Sequence, residues 1–281
     1  MGSKRNIIKK IPSLVLLLVV VLVFFTISAN SQPETKADKA VSKLDQIKKA
    51  GKLVVGTSPD YPPYEFHLLN DRQGEIVGLD VDIAKEIARE LGVKLELKNI
   101  IFHKLFEVLN QDQVDMVIAG LAPSVGRRQL VDFSDVYYQA IQNMLIRSLD
   151  SEIITSLIDL RGKKVGTQKG SIQEDLSQKQ ILGAEFITKD TVNELISDLK
   201  NKKIDAAILE KPVAESFVMR HKDLINIECH SGAYDALLGS AIAVKKGNPE
   251  FLKEINRILA ELKKENKIIE FVEDAKILMN K

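Results

Sequence analysis

Two stretches of this chain repeat one pattern, and the repetition limits the fold more than anything else in the sequence. Lys52-Leu-Val-Val-Gly-Thr57 is a short apolar run stopped by glycine, and Lys163-Lys-Val-Gly-Thr167 echoes it. Such runs read as buried strands that feed loops. Each precedes a helical segment, a turn and a second apolar strand. In the first half, 105–109 leads through Gln113 to Val114-Asp-Met-Val-Ile118. In the second, 192–199 leads through Lys202 and Lys203 to Ile204-Asp-Ala-Ala-Ile-Leu209. Asp115 and Asp205 hold the same place in the two units. Strands that alternate with helices predict an α/β fold of two related lobes with mostly parallel sheets.

The intervening segments agree. Leu79–Leu91 carries apolar residues at helical spacing, with Asp80 and Asp82 at its start, where the helix dipole favours anions, and Gly92 after its end. Residues 93–97 alternate as a strand does. Pro249–Lys264 and 268–278 read as amphipathic helices that close the domain, with lysines outward.

The 281 residues suit one large domain or two modest ones. A net charge of +1 supplies no broad field for nucleic acid or acidic lipid. Cys229, the single cysteine, rules out an internal disulfide and a multi-cysteine zinc site. The four histidines show no ligand spacing, so no metal is expected. At the N-terminus, Lys4, Arg5, Lys9 and Lys10 precede an apolar run, 14–25, inside a greasy stretch, 11–27. Ser28, Ala29, Asn30 and Ser31 come next, which is the order of an export signal. The apolar core is short for a membrane span, which favours cleavage, although an N-terminal anchor stays open. No cysteine lies nearby for a lipid anchor. The expected organisation is a leader over 1–31, a polar linker over 32–43, lobe I over 44–140 plus 240–281, and lobe II over 141–239.

Ligands of open α/β sheets bind beyond the carboxyl ends of strands. The strands here run into Thr57-Ser-Pro-Asp-Tyr61, Gly120-Leu-Ala-Pro-Ser-Val-Gly-Arg127, Gly166-Thr-Gln-Lys-Gly-Ser171 and Glu210. One lobe offers an arginine and aromatics. The other offers backbone donors in a Gly/Ser loop and a carboxylate. A free amino acid needs these parts: a guanidinium and N–H groups for its carboxylate, an anion for its ammonium, and a walled pocket for its side chain. No glycine-rich phosphate loop with its lysine is present, which argues against a nucleotide site.

Over residue 44 to the C-terminus the chain resembles the periplasmic-type solute-binding proteins of polar amino acid ABC importers, family 3. The motifs that carry the resemblance are Gly56-Thr-Ser-Pro-Asp-Tyr-Pro-Pro-Tyr-Glu65, Gly78-Leu-Asp-Val-Asp-Ile-Ala-Lys-Glu-Ile-Ala88, Asp115-Met-Val-Ile-Ala-Gly120, Arg127-Arg-Gln-Leu-Val-Asp-Phe-Ser-Asp135 with Tyr137-Tyr138, and Asp159-Leu-Arg-Gly-Lys-Lys-Val-Gly166. The resemblance implies a two-lobed type II periplasmic-binding fold with a hinge near 139–143 and 239–241. It further implies capture of an amino acid by lobe closure, delivery to a membrane permease, no cofactor, no nucleic acid and a monomer. Carried over residue by residue, Arg127 holds the ligand carboxylate and Glu210 the ammonium. Gly120 gives a backbone contact, and the N–H groups at Ser171 and Ile172 approach the carboxylate. Tyr61 and Phe102 wall the side chain. Ala122 stands where relatives often carry Ser or Thr, so one hydroxyl contact is missing. Ser58 stands where some relatives selective for cationic or amide side chains carry Asp, which counts against a basic ligand. Glu65, His67 and Gln168 are candidates to compensate. Asp132-Phe-Ser-Asp135 reads as a structural turn. Two rivals share the fold: an enzyme such as a cyclohexadienyl dehydratase, and a ligand-sensing ectodomain.

Overall fold

A computed structural model describes residues 41–68, 74–229 and 238–279. The leader expected over 1–31 lies outside the described residues, as does the linker up to residue 40. Helix Lys43–Ala50 starts at the linker's last residue, capped by the Ser42 side chain, which accepts from Asp45 N.

Residues 41–281 form one unit built on two five-stranded open sheets. The first runs in the order Lys94–Asn99, Lys52–Thr57, Met116–Val117, Ala243–Val244 and Asp132–Phe133. The second runs Glu185–Lys189, Lys164–Gln168, Ala206–Glu210, Gln142–Arg147 and Leu224–Glu228. The two orders correspond strand for strand. The first three strands of each are parallel. The fourth is antiparallel to both its neighbours. The sheets are therefore mixed, more so than the strand–helix alternation predicts. Ala243–Val244 and Gln142–Arg147 each come over from the other half of the molecule by a short crossing, without the helix that a parallel return needs.

The two crossings lie side by side. Tyr138–Ala140 pairs antiparallel with Leu238–Ser240 in a two-stranded ribbon between the sheets. Gly239 fits because it has no side chain: a Cβ there would meet Val136 Cγ1 at 2.1 Å. The segment expected to be a turn at 132–135 is partly an edge strand, Asp132–Phe133. Beside it, Ser134 Oγ accepts from Ile242 N at 2.9 Å and so ties the edge to the return crossing.

The repeated aspartates have a backbone task. Asp115 Oδ2 accepts from Val54 N at 2.8 Å, and Asp205 Oδ2 accepts from Lys164 N at 2.9 Å. Each carboxylate closes the ladder at the start of the glycine-ended strand, before its partner strand has begun. Each meets a cation as well: Lys43 at 2.6 Å for Asp115 and Arg147 at 3.3 Å for Asp205.

Helix Leu79–Leu91 buries Leu79, Ile83, Ala84, Ile87, Ala88 and Leu91, the face expected from its spacing. Its N-cap, Gly78, has φ 125°, and a Cβ there would come within 2.4 Å of Tyr64 O. Only glycine fits that approach. Helices Pro249–Lys264 and Lys267–Met279 pack on this helix, with Phe251, Ile255, Ile258 and Leu259 buried. Among the described residues no helix is long and apolar enough to cross a membrane.

Candidate ligand-binding site

The carboxyl ends of the two parallel sets face each other. A small cavity between them is lined by Tyr61, Phe102, Gly120, Ala122 and Arg127 from the first half and by Gln168, Ser171, Ile172 and Gln173 from the second. All of these except Gln173 are site residues expected from the sequence. Glu210 and Ser58 are buried outside this lining.

Arg127 sits in the short helix Val125–Leu130, whose N-cap Ser124 accepts from Arg127 N at 3.2 Å. Its guanidinium lies over the rings of Phe102 and Phe106, 5.6 and 5.7 Å from their centroids. Nη1 donates to Ala122 O at 2.8 Å and Nη2 donates to Gly170 O at 3.0 Å. No carboxylate among the described residues pairs with it. Loss of water brings its pKa down to about 10, so it stays cationic at neutral pH. The result is a charged, oriented fork that still has N–H groups to offer. Ala122 contributes here through its carbonyl, a role that its side chain does not reveal.

Ser171 is the N-cap of helix Ile172–Gln180, its Oγ accepting from Glu174 N at 3.1 Å. The loop before it is fixed from the same helix: Gly170 N donates to Glu174 Oε2 at 2.7 Å. Gln168 Nε2 reaches Asp190 O at 3.4 Å.

Glu210 ends strand Ala206–Glu210 and is 1% exposed. Tyr64 OH donates to its Oε2 at 2.5 Å, and its own N–H donates to Tyr61 OH at 3.3 Å. Burial pushes its carboxyl up to about 8, partly offset by the Tyr64 hydrogen bond; nearby Asp80 adds to the rise and Arg127 opposes it. Other buried carboxyls lie behind the cavity wall. Burial lifts Asp60 and Asp80 to about 6 each, and lifts Glu65 well above the carboxylate range. Neither oxygen of the buried Glu65 has a hydrogen-bond partner, and nearby Asp80 adds to the rise. Asp80 is anchored by Tyr137 OH at 2.7 Å and by Gly120 N at 2.8 Å.

Several contacts run between the two halves: Arg127 to Gly170, Tyr64 to Glu210, and Val192 N to Asp60 Oδ2 at 2.6 Å. The cleft is closed. Ser58 Oγ is 3.4 Å from Asp60 Oδ1 and lies behind the cavity wall. His67 is turned away, toward Gly74 O and Asn99. Sequence reasoning misses Asp60, Tyr64, Asp80, Tyr137, Gln142 and Gln173 as site residues. Asp60 and Tyr64 lie inside the tyrosine–proline motif, and that position is the signal that could have found them. Among the described residues no group of His, Cys, Asp and Glu is arranged to hold a metal ion.

Residues 53–274 match the family model for bacterial extracellular solute-binding proteins, family 3. The arginine-binding extracellular protein ArtP of Bacillus subtilis is 38% identical over 214 residues, which is 75% of this chain and 80% of ArtP. The L-cystine-binding protein TcyJ of Escherichia coli is 29% identical over 222 residues, 79% of this chain and 81% of TcyJ. Among solved structures, the amino acid ABC transporter substrate-binding protein AbpA of Streptococcus pneumoniae, bound to L-arginine, superposes with a TM-score of 0.80 at 34% identity, covering 84% of this chain and 98% of AbpA. The ancestral amino acid-binding protein AncCDT-1, a precursor of cyclohexadienyl dehydratase, gives a TM-score of 0.76 at 30% identity, covering 83% of this chain and 99% of its own.

Proposed function

The chain belongs to the bacterial extracellular solute-binding proteins of family 3, and from that premise we infer that it captures an amino acid with a cationic side chain, of arginine's class, and delivers it to an ABC importer. The observation that carries this reading is the opposition of Arg127 and Glu210. Arg127, from the helix Val125–Leu130 of the first half, lines the cavity, and Glu210, at the end of a strand of the second half, lies buried behind it against Tyr61 and Tyr64. A bound zwitterion sets its carboxylate on the Arg127 fork and the N–H groups at Ser171 and Ile172. Its ammonium lies at Glu210 and its side chain between Tyr61 and Phe102. Gly120 lends a backbone contact.

The absence of an acid at Ser58 does not leave the side chain without anions. Asp60, two residues on, is buried against Gln168, and Glu65, Asp80 and Glu210 make the surroundings acidic. A cation is the ligand part such a set stabilises best. ArtP, an arginine-binding protein, and AbpA, bound to L-arginine, favour the same class.

Lobe I is taken as 44–140 plus 240–281 and lobe II as 141–239, with the ribbon of 138–140 and 238–240 as the hinge. Closure would carry the ligand as a monomeric, exported complex to a permease. The N-terminal 1–31 segment would serve as the export signal or anchor. We read the site as one that holds its ligand unchanged. ArtP and TcyJ are binding proteins, and AbpA is a substrate-binding protein bound to L-arginine. Mass spectrometry that finds a candidate amino acid converted to a product overturns this.

The test is thermal denaturation of refolded, ligand-stripped protein against the common amino acids. Arginine at a hundredfold excess over its dissociation constant adds about 2.7 kcal/mol. No shift with any amino acid defeats the reading. Arg127→Ala is expected to abolish binding and leave the fold intact; retained affinity in a calorimetric titration removes Arg127 from the carboxylate role.

A further inference from the structure

We propose that Gln142 is a positioning residue that sets the side-chain preference of the pocket by orienting Gln173; this rests on the capture reading above. Gln142 opens strand Gln142–Arg147, directly opposite Glu210 in the ladder, and is fully buried. Gln173 stands in the first turn of helix Ile172–Gln180, lines the cavity and is 6% exposed. Its Nε2 donates to Gln142 Oε1 at 2.7 Å and lies 3.5 Å from Tyr61 OH.

That arrangement decides what the cavity is offered. The amide nitrogen of Gln173 is turned inward and occupied, so its carbonyl oxygen is the group left for a ligand. Among the described residues no donor takes that oxygen. The pair resists change by one partner alone. A rotation of the Gln142 amide would set its NH2 against the NH2 of Gln173, two donors face to face. In the observed setting Gln142 Nε2 is buried with no partner. The oxygen of Gln173, a residue that lines the cavity, is left to accept. An oxygen so placed selects side chains that end in N–H groups: guanidinium, ureido or amide. It discriminates against apolar and carboxylate ends.

The experiment is calorimetric titration of the wild type, Gln142→Leu and Gln142→Glu with L-arginine, L-citrulline, L-leucine and L-glutamate. The wild type is expected to rank arginine and citrulline above leucine and glutamate. Gln142→Leu is expected to weaken arginine and citrulline by about tenfold and to leave leucine within about twofold. Gln142→Glu keeps an oxygen for Gln173 Nε2 and is expected to restore the ranking. A uniform loss for all four ligands, an unchanged ranking in Gln142→Leu, or glutamate ahead of arginine in the wild type overturns the proposal. Should Gln142→Leu fail to melt cooperatively, Gln173→Leu is read against the same panel, with the same outcomes decisive. A wild type that binds none of the common amino acids defeats the capture reading, whereas binding with the wrong ranking defeats this proposal alone.

Discussion

In the proposed role Glu210 carries a negative charge in a place that resists one. With its carboxyl at about 8, it holds a proton at neutral pH, and a bound ammonium is expected to displace it. Titration with the preferred amino acid at pH 7 in buffers of differing ionisation enthalpy is therefore expected to show release of up to about one proton, and Glu210→Gln to remove most of it. The same shift works on stability. Above the ordinary carboxylate range the unfolded chain has lost this proton and the closed protein keeps it, so stability falls as pH rises from about 4.5 to about 8. Asp60 and Asp80, each at about 6, add to the lower part of that window. Melts of ligand-free protein at pH 5 and pH 8 are expected to show the loss, with a shallower slope in Glu210→Gln. Arg127 and Glu210 are candidates visible in the sequence because each comes after a strand and has a charge that a zwitterion would meet. Asp80 is legible only as a helix-start anion. Its hydrogen bonds to Gly120 N and Tyr137 OH join residues 40 and 57 positions away, which no local pattern displays. Gln142, an amide at the head of a strand, carries no sequence signal at all.

The glycine-ended strands are the elements on which the site stands, and the repeated aspartates hold them in place. Asp205→Ala removes the acceptor of Lys164 N and a partner of Arg147. The expected destabilisation is about 1–3 kcal/mol in a denaturant melt, with affinity for the ligand changed little. Asp115→Ala is expected to behave alike. A shift in the melt below about 0.5 kcal/mol for both assigns the pair to the surface. The strands, the Leu79–Leu91 helix and the internal repeat are legible because periodicity and glycine stops are local. The antiparallel fourth strand in each sheet is not. Its direction is fixed by where the chain has just come from, and Ala243–Val244 is too short to announce itself.

Between the halves runs a ribbon of two strands crowded by Val136, the hinge of the proposed reading. Gly239→Ala would drive a methyl into that valine's side chain. The ribbon must shift to accept it, and the angle between the lobes with it. Small-angle scattering with and without ligand is expected to show a smaller compaction on binding in this variant than in the wild type. Equal compaction places the bending elsewhere. The two-lobed plan is legible at this scale because its halves share a grammar.

The contacts that latch the cleft shut, Arg127 to Gly170 and Tyr64 to Glu210, involve the very groups assigned to the ligand. An amino acid therefore enters as a replacement and not as an addition, and its measured affinity is the difference between two sets of partners.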